Sequence, residues 1–221
     1  MGVVGGNEII RNGLIHCYDP ANTRSYLGSG TTLTDLAGSD NGTISGATFD
    51  VNNYGSLYFD GADDIISFDT EFDLGITQTI SFWLKQNRPT TAETILGNSL
   101  ANNYLFYKQS AGIYFRSGTG YWVFSNADTL NNFQVTDWIN ISIVRIAVNQ
   151  TRFYINGTLT SEGTRNISAG TNGNTLFKSI GAEPDLTYDF QGYISMFLIY
   201  NRILSDAEVL QNYNDTKYRF V

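Results

Sequence analysis

Few residues in this 221-residue chain are of types that do chemistry, and their spacing decides which chemistry is open. Glu71-Phe72-Asp73 and Glu183-Pro184-Asp185 each set two carboxylates two positions apart. Alternate residues of a strand share a face, so such a pair is how a glycosidase site begins. A retaining site needs one carboxyl as nucleophile and a second as acid/base about 5–5.5 Å away. Gly75 and Ile76 follow the first pair, Thr187 and Tyr188 the second, and Pro184 suits a loop better than a central strand. Neither string is completed by a further glutamate. His16 is the only histidine, so any Ser-His-Asp or Cys-His relay must use it. No G-x-S-x-G elbow accompanies it, and the expectation is a hydrogen-bonded structural histidine. Cys17 alternates with apolar neighbours in Leu14-Ile15-His16-Cys17-Tyr18 and reads as a small buried hydrophobe.

Two further groups suit binding. Asp60, Asp63 and Asp64 cluster at a hairpin, with Asp185 and Asp189 available before the last strand. Hard oxygen ligands of this kind hold Ca²⁺; the alternative is turn aspartates bonding local amides. Tyr121-Trp122-Val123-Phe124, followed by Ser125 and Asn126, is the densest aromatic run. Tyr121, Trp122, Phe124 and Asn126 are the candidate ligand or interface residues, since aromatic faces and amides serve both sugars and protein partners. Alternation sends Tyr121 and Val123 to one face and Trp122 and Phe124 to the other, so one pair belongs to the core.

Composition narrows the classes. A net charge of −8 with 13 basic residues excludes nucleic acid, which needs a basic patch. It also disfavours an anionic membrane surface, and no run approaches the roughly 18 apolar residues of a membrane span. Charged residues are 15% of the chain, against about 25% in an average globular protein. The surface is polar instead through Asn, Thr, Ser and Gly, which suits a protein working outside a cell or on a particle. Met1–Glu8 has no basic stretch and no apolar core, so it reads as no export signal.

The positioning elements are strands. Period-two alternation predicts them over 13–18, 56–60, 64–68, 78–86, 93–97, 103–108, 112–116, 121–125, 138–146, 151–156, 176–181 and 192–200. Asn156-Gly157 is a two-residue hairpin signal. The one predicted helix covers 205–215, where Ser205 and Glu208 form a capping box flanked by a Leu204–Val209 staple. Tyr18–Ala47 reads as a long irregular clamp or interface segment anchored by Tyr26, Leu33 and Leu36. The pattern predicts an all-β fold, a two-sheet antiparallel sandwich with a short C-terminal helix. Residues 1–12 form an N-terminal arm and 13–221 a single domain.

Five strings in order resemble laminin-G-like, concanavalin-A-like jelly-roll domains. They are Leu57–Ile66 (F-D-G-x-x-D), Thr79–Lys85 (T-I-S-F-W-L-K), Trp138–Val144, Phe153–Gly157 (Y-I-N-G), and Gly192–Glu208 (G-x-I-x-x-x-x-I-Y-N-R-x-L-S-x-x-E). The resemblance implies a jelly roll that binds glycans, proteins or neighbouring subunits. Glucanases of that fold carry E-x-D-x-x-E or E-x-D-x-E, absent here, so no enzyme activity is expected. Many relatives place an acidic pair where Ser195 and Met196 stand, which removes one familiar metal position. Asp19–Thr31 and Gln211–Phe220 are similar to laminin-G-like domains of tailed-phage structural proteins. The first reading is therefore a virion structural protein, as capsid decoration, fibre or tail component, assembled in the host cytoplasm and displayed on the virion surface. Its partners would be other virion proteins, copies of itself, and cell-surface glycan in host adhesion. A free extracellular carbohydrate-binding lectin is the alternative, and a glycoside hydrolase comes third. No cofactor is required, and calcium is the metal the aspartates suit.

Overall fold

The computed structural model describes residues 8–86, 93–98, 106–109, 112–117, 120–124, 137–164, 175–185 and 188–220. Its strands are β1 (Leu14–Tyr18), β2 (Thr32–Leu33), β3 (Gly42–Ser45), β4 (Thr48–Asp50), β5 (Ser56–Asp60), β6 (Ile65–Asp73), β7 (Gln78–Gln86) and β8 (Glu93–Gly97). Then come β9 (Phe106–Gln109), β10 (Gly112–Ser117), β11 (Gly120–Phe124), β12 (Ile139–Ala147), β13 (Gln150–Ile155), β14 (Thr158–Thr164), β15 (Leu176–Ile180) and β16 (Gln191–Tyr200). One helix, α1 (Asp206–Thr216), follows. The first sheet runs β14-β13-β12-β7-β16-β5-β4, with β1 also on β16; the second runs β11-β10-β9-β8-β15-β6-β3-β2. All the pairings are antiparallel. This is the expected two-sheet jelly-roll sandwich.

Alternation builds the interior. Ile80, Phe82, Ile141, Ile143, Phe153, Phe197 and Ile199 of the first sheet meet Ile44, Ile66, Phe68, Phe115, Phe177 and Ile180 of the second in one core. Register reinforces it: Phe82 lies opposite Ile141 and Ile80 opposite Ile143, and the rings of Phe82 and Phe197 stack at 4.8 Å. Their chain neighbours on the other face of the first sheet are buried too. Val144, Tyr154, Leu198 and Tyr200 pack with Leu204 and Val209, while Trp83 and Trp138 pack with Phe220 and Tyr213. The helix and the C-terminal turn therefore cover that sheet from outside. Arg145, fully buried on β12, donates to Thr175 Oγ1 at 3.0 Å and to the Gly75 carbonyl at 3.4 Å, tying the two sheets together.

Ser205 caps α1 as the sequence predicts: its Oγ accepts from Glu208 N, and Glu208 reaches back to Ser205 N at 2.8 Å. Leu204 and Val209, each 1% exposed, close the staple. The Asn156-Gly157 turn has positive φ at both residues, as a type I′ turn requires.

The irregular reading of residues 18–47 needs correction, because β2 and β3 lie within it and pair Thr32 with Thr43. Tyr26 and Leu33 are buried, Leu36 half-buried, so the segment is anchored as expected. β4 and β14 are also additions; the first is only three residues long and the second is mostly polar, so neither gives an alternation to read. β6 runs to Asp73, past the predicted 68, because Phe72 and Asp73 pair with β15 after a register shift. Of the N-terminal arm, Ile9 and Ile10 pack beside α1, and Ile10 N donates to Asn212 Oδ1 at 2.8 Å.

Candidate functional site

The turn between β5 and β6 gathers the aspartates. Asp60 Oδ1 accepts from Ala62 N at 2.9 Å, while Asp64, 5% exposed, accepts Asp60 N at 2.7 Å through Oδ2. Gly46 is needed beside it, since a Cβ there would sit 2.0 Å from Asp64 Oδ1. Ligand oxygens of Asp60, Asp63 and Asp64 lie within 4.8 Å of one another. Asp189 joins them from the approach to β16. Burial raises its pKa above the ordinary carboxylate value, its own backbone hydrogen bond opposes this, and Asp63, Asp60 and Asp185 add to the rise. Asp64 is raised likewise, first by burial, against the Asp60 amide and with help from Asp60, Asp63 and Asp189. Asp189 Oδ1 is buried without a hydrogen-bond partner. The close-set oxygens of Asp60, Asp63 and Asp64 are a donor set that fits a hard divalent cation, and these are the residues that would hold it, with Asp189 adding negative charge nearby. Asp64 also does the local amide-bonding work of a turn aspartate.

The aromatic run lies on β11, an edge strand. Backbone register sets Trp122 opposite Phe115, and Phe124 opposite Ile113. Phe115 is fully buried in the core, so positions 113, 115, 122 and 124 share the core side of the sheet. Position 121, opposite Arg116, and position 123, opposite Tyr114, share the outer side, and Tyr114 in turn faces Tyr107 of β9. Tyrosines on three successive strands thus take outer positions. Asn126 lies outside the described residues. Alternation in the sequence separates Tyr121 from Trp122, but only the pairing with Phe115 says which of them takes the core side.

Other candidates resolve into structure. His16 is buried, hydrogen-bonded to Asp35 at 2.7 Å and packed on Phe72 at 4.4 Å. Asp35 also takes Cys17 N and Ala37 N, which makes the pair a brace for the Gly38 turn. Asp40 Oδ2 lies 4.0 Å from the same imidazole, so His16, Asp35 and Asp40 are a second group of metal-ligand types. Cys17 is 6% exposed, and burial with nearby Asp19 and Asp35 pushes its thiol up to about 12, leaving no thiolate for chemistry at neutral pH. Glu71 and Asp73 flank the core residue Phe72 on β6, so both belong to the outer side of the second sheet. Glu183 is buried and Asp185 exposed, in the turns after β15. Sequence reading passes over the Asp19–Arg219 pair, a two-pronged contact at 2.9 and 2.8 Å that clamps the C-terminal turn to the end of β1. Its partners are distant in the chain, and no local signal joins them.

A family model described as Laminin_G_3, concanavalin A-like lectin/glucanases superfamily, matches residues 60–210. No match was found among curated proteins. Among solved structures, Trypanosoma rangeli sialidase superimposes with a TM-score of 0.68 at 14% identity, over 100% of this chain and 36% of that one. The botulinum neurotoxin serotype D binding domain gives 0.65 at 14% identity, over 94% of this chain and 53% of that one. The receptor binding domain of the botulinum neurotoxin C/D mosaic serotype gives 0.64 at 13%. The chain thus spans about a third of the sialidase and about half of the toxin domains. At these identities the likeness is one of fold.

Proposed function

The chain belongs to the concanavalin A-like lectin/glucanase superfamily, and on that premise we propose that it is a non-catalytic carbohydrate-binding module. The observation that carries this reading is the backbone register of the second sheet, which places tyrosines on three successive strands. α1 and the C-terminal turn cover the first sheet. On the second sheet register pairs Tyr107 with Tyr114 and sets Tyr121 on the next strand. Aromatic positions aligned in this way suit ring stacking with a sugar, whose hydroxyls then take amides and carboxylates. A net charge of −8 argues against nucleic acid as the partner. Gly75 and Ile76, where a second glutamate would complete a glucanase strand, support a binding rather than a hydrolytic role. The setting we propose is a virion surface, resting on the strings Asp19–Thr31 and Gln211–Phe220, where contacts to copies of itself or to other virion proteins would accompany glycan binding.

The test is retention of purified chain on immobilised β-glucan, agar-type galactan and bacterial surface polysaccharide, with reducing sugar measured in parallel. The expected result is retention on at least one matrix, no sugar release, and about tenfold weaker retention in Tyr121→Ala, the scale of ~1.4 kcal/mol for one lost ring contact. Sugar release that disappears in Glu71→Gln would overturn the non-catalytic reading, and retention on none of the matrices would overturn the binding reading.

A further inference from the structure

The face covered by α1 holds a cleft of about 770 Å³ between the arm at residues 8–11, β16 and the C-terminal turn. That is within the roughly 300–1,000 Å³ of small-molecule sites. Met196 lines it with φ 47, a left-handed conformation rare for a side-chain-bearing residue. It sits in a bulge where β16 exchanges β5, paired through Ile194, for β1, paired from Phe197 onward. Tyr218, also lining the cleft, is 80% exposed. The turn that carries it is no loose terminus, because the next residue, Arg219, forks onto Asp19 and donates to Ser195 Oγ at 3.2 Å. An exposed ring is thus held on a clamped backbone.

Two polar atoms of the lining are buried without a partner, Asp215 Oδ2 and Arg219 Nε. One accepts and the other donates. The charges around them cancel in pairs, Arg219 with Asp19 and Arg11 with Glu8, and Asp215 is left over. A phosphate or other polyanion therefore finds no net positive field here. A neutral sugar matches on every count: each hydroxyl both donates and accepts, and its C–H face lies on an aromatic ring. We propose that this cleft is a saccharide-binding site, distinct from the outer face of the second sheet, with Tyr218 as stacking platform and Asp215 and Arg219 as hydroxyl partners.

The inference rests on the carbohydrate-binding reading, and the experiment separates their failures. Cellobiose, lactose and maltose are titrated into the full chain labelled with ¹³C-methyl methionine; Met1 and Met196 are its two methionines. One disaccharide is expected to shift the Met196 methyl signal, and Tyr218→Ala and Asp215→Ala to weaken binding about tenfold or more, at an unchanged melting temperature. Tyr121→Ala should leave this binding intact. Binding lost in Tyr121→Ala but kept in both cleft variants refutes the cleft and leaves the wider reading standing. So does an unmoved Met196 signal while polysaccharide still retains the chain. An unmoved signal with no retention on any polysaccharide refutes both.

Discussion

Glu208 is where pH should reach this fold most legibly. Its carboxylate receives Arg202 Nη1 at 3.1 Å and Nη2 at 2.6 Å, Ser205 N at 2.8 Å and Ser205 Oγ at 3.1 Å. The Arg202 hydrogen bonds outweigh the opposing cost of burial, and with the smaller help of the Ser205 hydrogen bonds and the Arg202 charge they bring its pKa from 4.5 down to about 2. A depressed carboxylate pKa stabilises the fold above the unfolded value and ceases to do so as pH falls through the folded one. The window is therefore between about pH 4.5 and pH 2. At 1.36 kcal/mol per pH unit the displacement sets a ceiling of about 3 kcal/mol. Both side chains are roughly a quarter exposed, 26% and 28%, and solvent screening brings the expected contribution to about 1–2 kcal/mol.

The perturbation is Glu208→Gln, which keeps an oxygen for Ser205 N and removes the charge opposite Arg202. Thermal melts of wild type and variant at pH 7 should differ by about 2–8 °C, from roughly 2–4 °C per kcal/mol for a domain of this size. As pH falls to 2 and below the curves should converge, since Glu208 is then losing its charge in the folded protein as well. Other carboxylates titrate over the same range, so the quantity to read is the difference between the two proteins. A gap that persists unchanged at pH 2, or no gap at pH 7, would refute the electrostatic account of this cap.

Ser205→Ala removes the N-cap acceptor of α1 and should cost about 0.5–2 kcal/mol in denaturant melts; an unchanged midpoint would mean that the cap contributes nothing to global stability. Trp122→Ala should cost about 3–5 kcal/mol as a core truncation, whereas Tyr121→Ala should cost less than about 1 kcal/mol; the reverse order would refute the register argument. For calcium, which we propose binds at Asp60, Asp63 and Asp64, saturation at about 100 times Kd should add ~2.7 kcal/mol, a rise of several degrees over chelator-treated protein. That rise should vanish in Asp63→Ala, and equal melting in calcium and chelator would remove the metal from the proposal.

What the sequence makes legible here is what neighbours in the chain determine. The capping box spans four residues, the Asn156-Gly157 turn two, and the alternation of Thr79–Lys85 one strand; each is present as read. The aspartate cluster is legible for the same reason where Asp60, Asp63 and Asp64 adjoin, whereas of Asp185 and Asp189, both available in the sequence, the fold decides how near each comes. Arg145 defeats the reading altogether, since a charge on a strand reads as solvent-facing until Thr175 and the Gly75 carbonyl are brought to meet it. Sites are made at that second level. Tyr121 and Trp122 are equivalent aromatics in the sequence, and Phe115, on a different strand, separates their roles. The cleft is the extreme case: Arg11, Asp19, Met196 and Tyr218 come from both ends of the chain and from a bulge. No window of sequence contains it, and the clamp that holds it, Asp19 to Arg219, is as nonlocal as the site it positions.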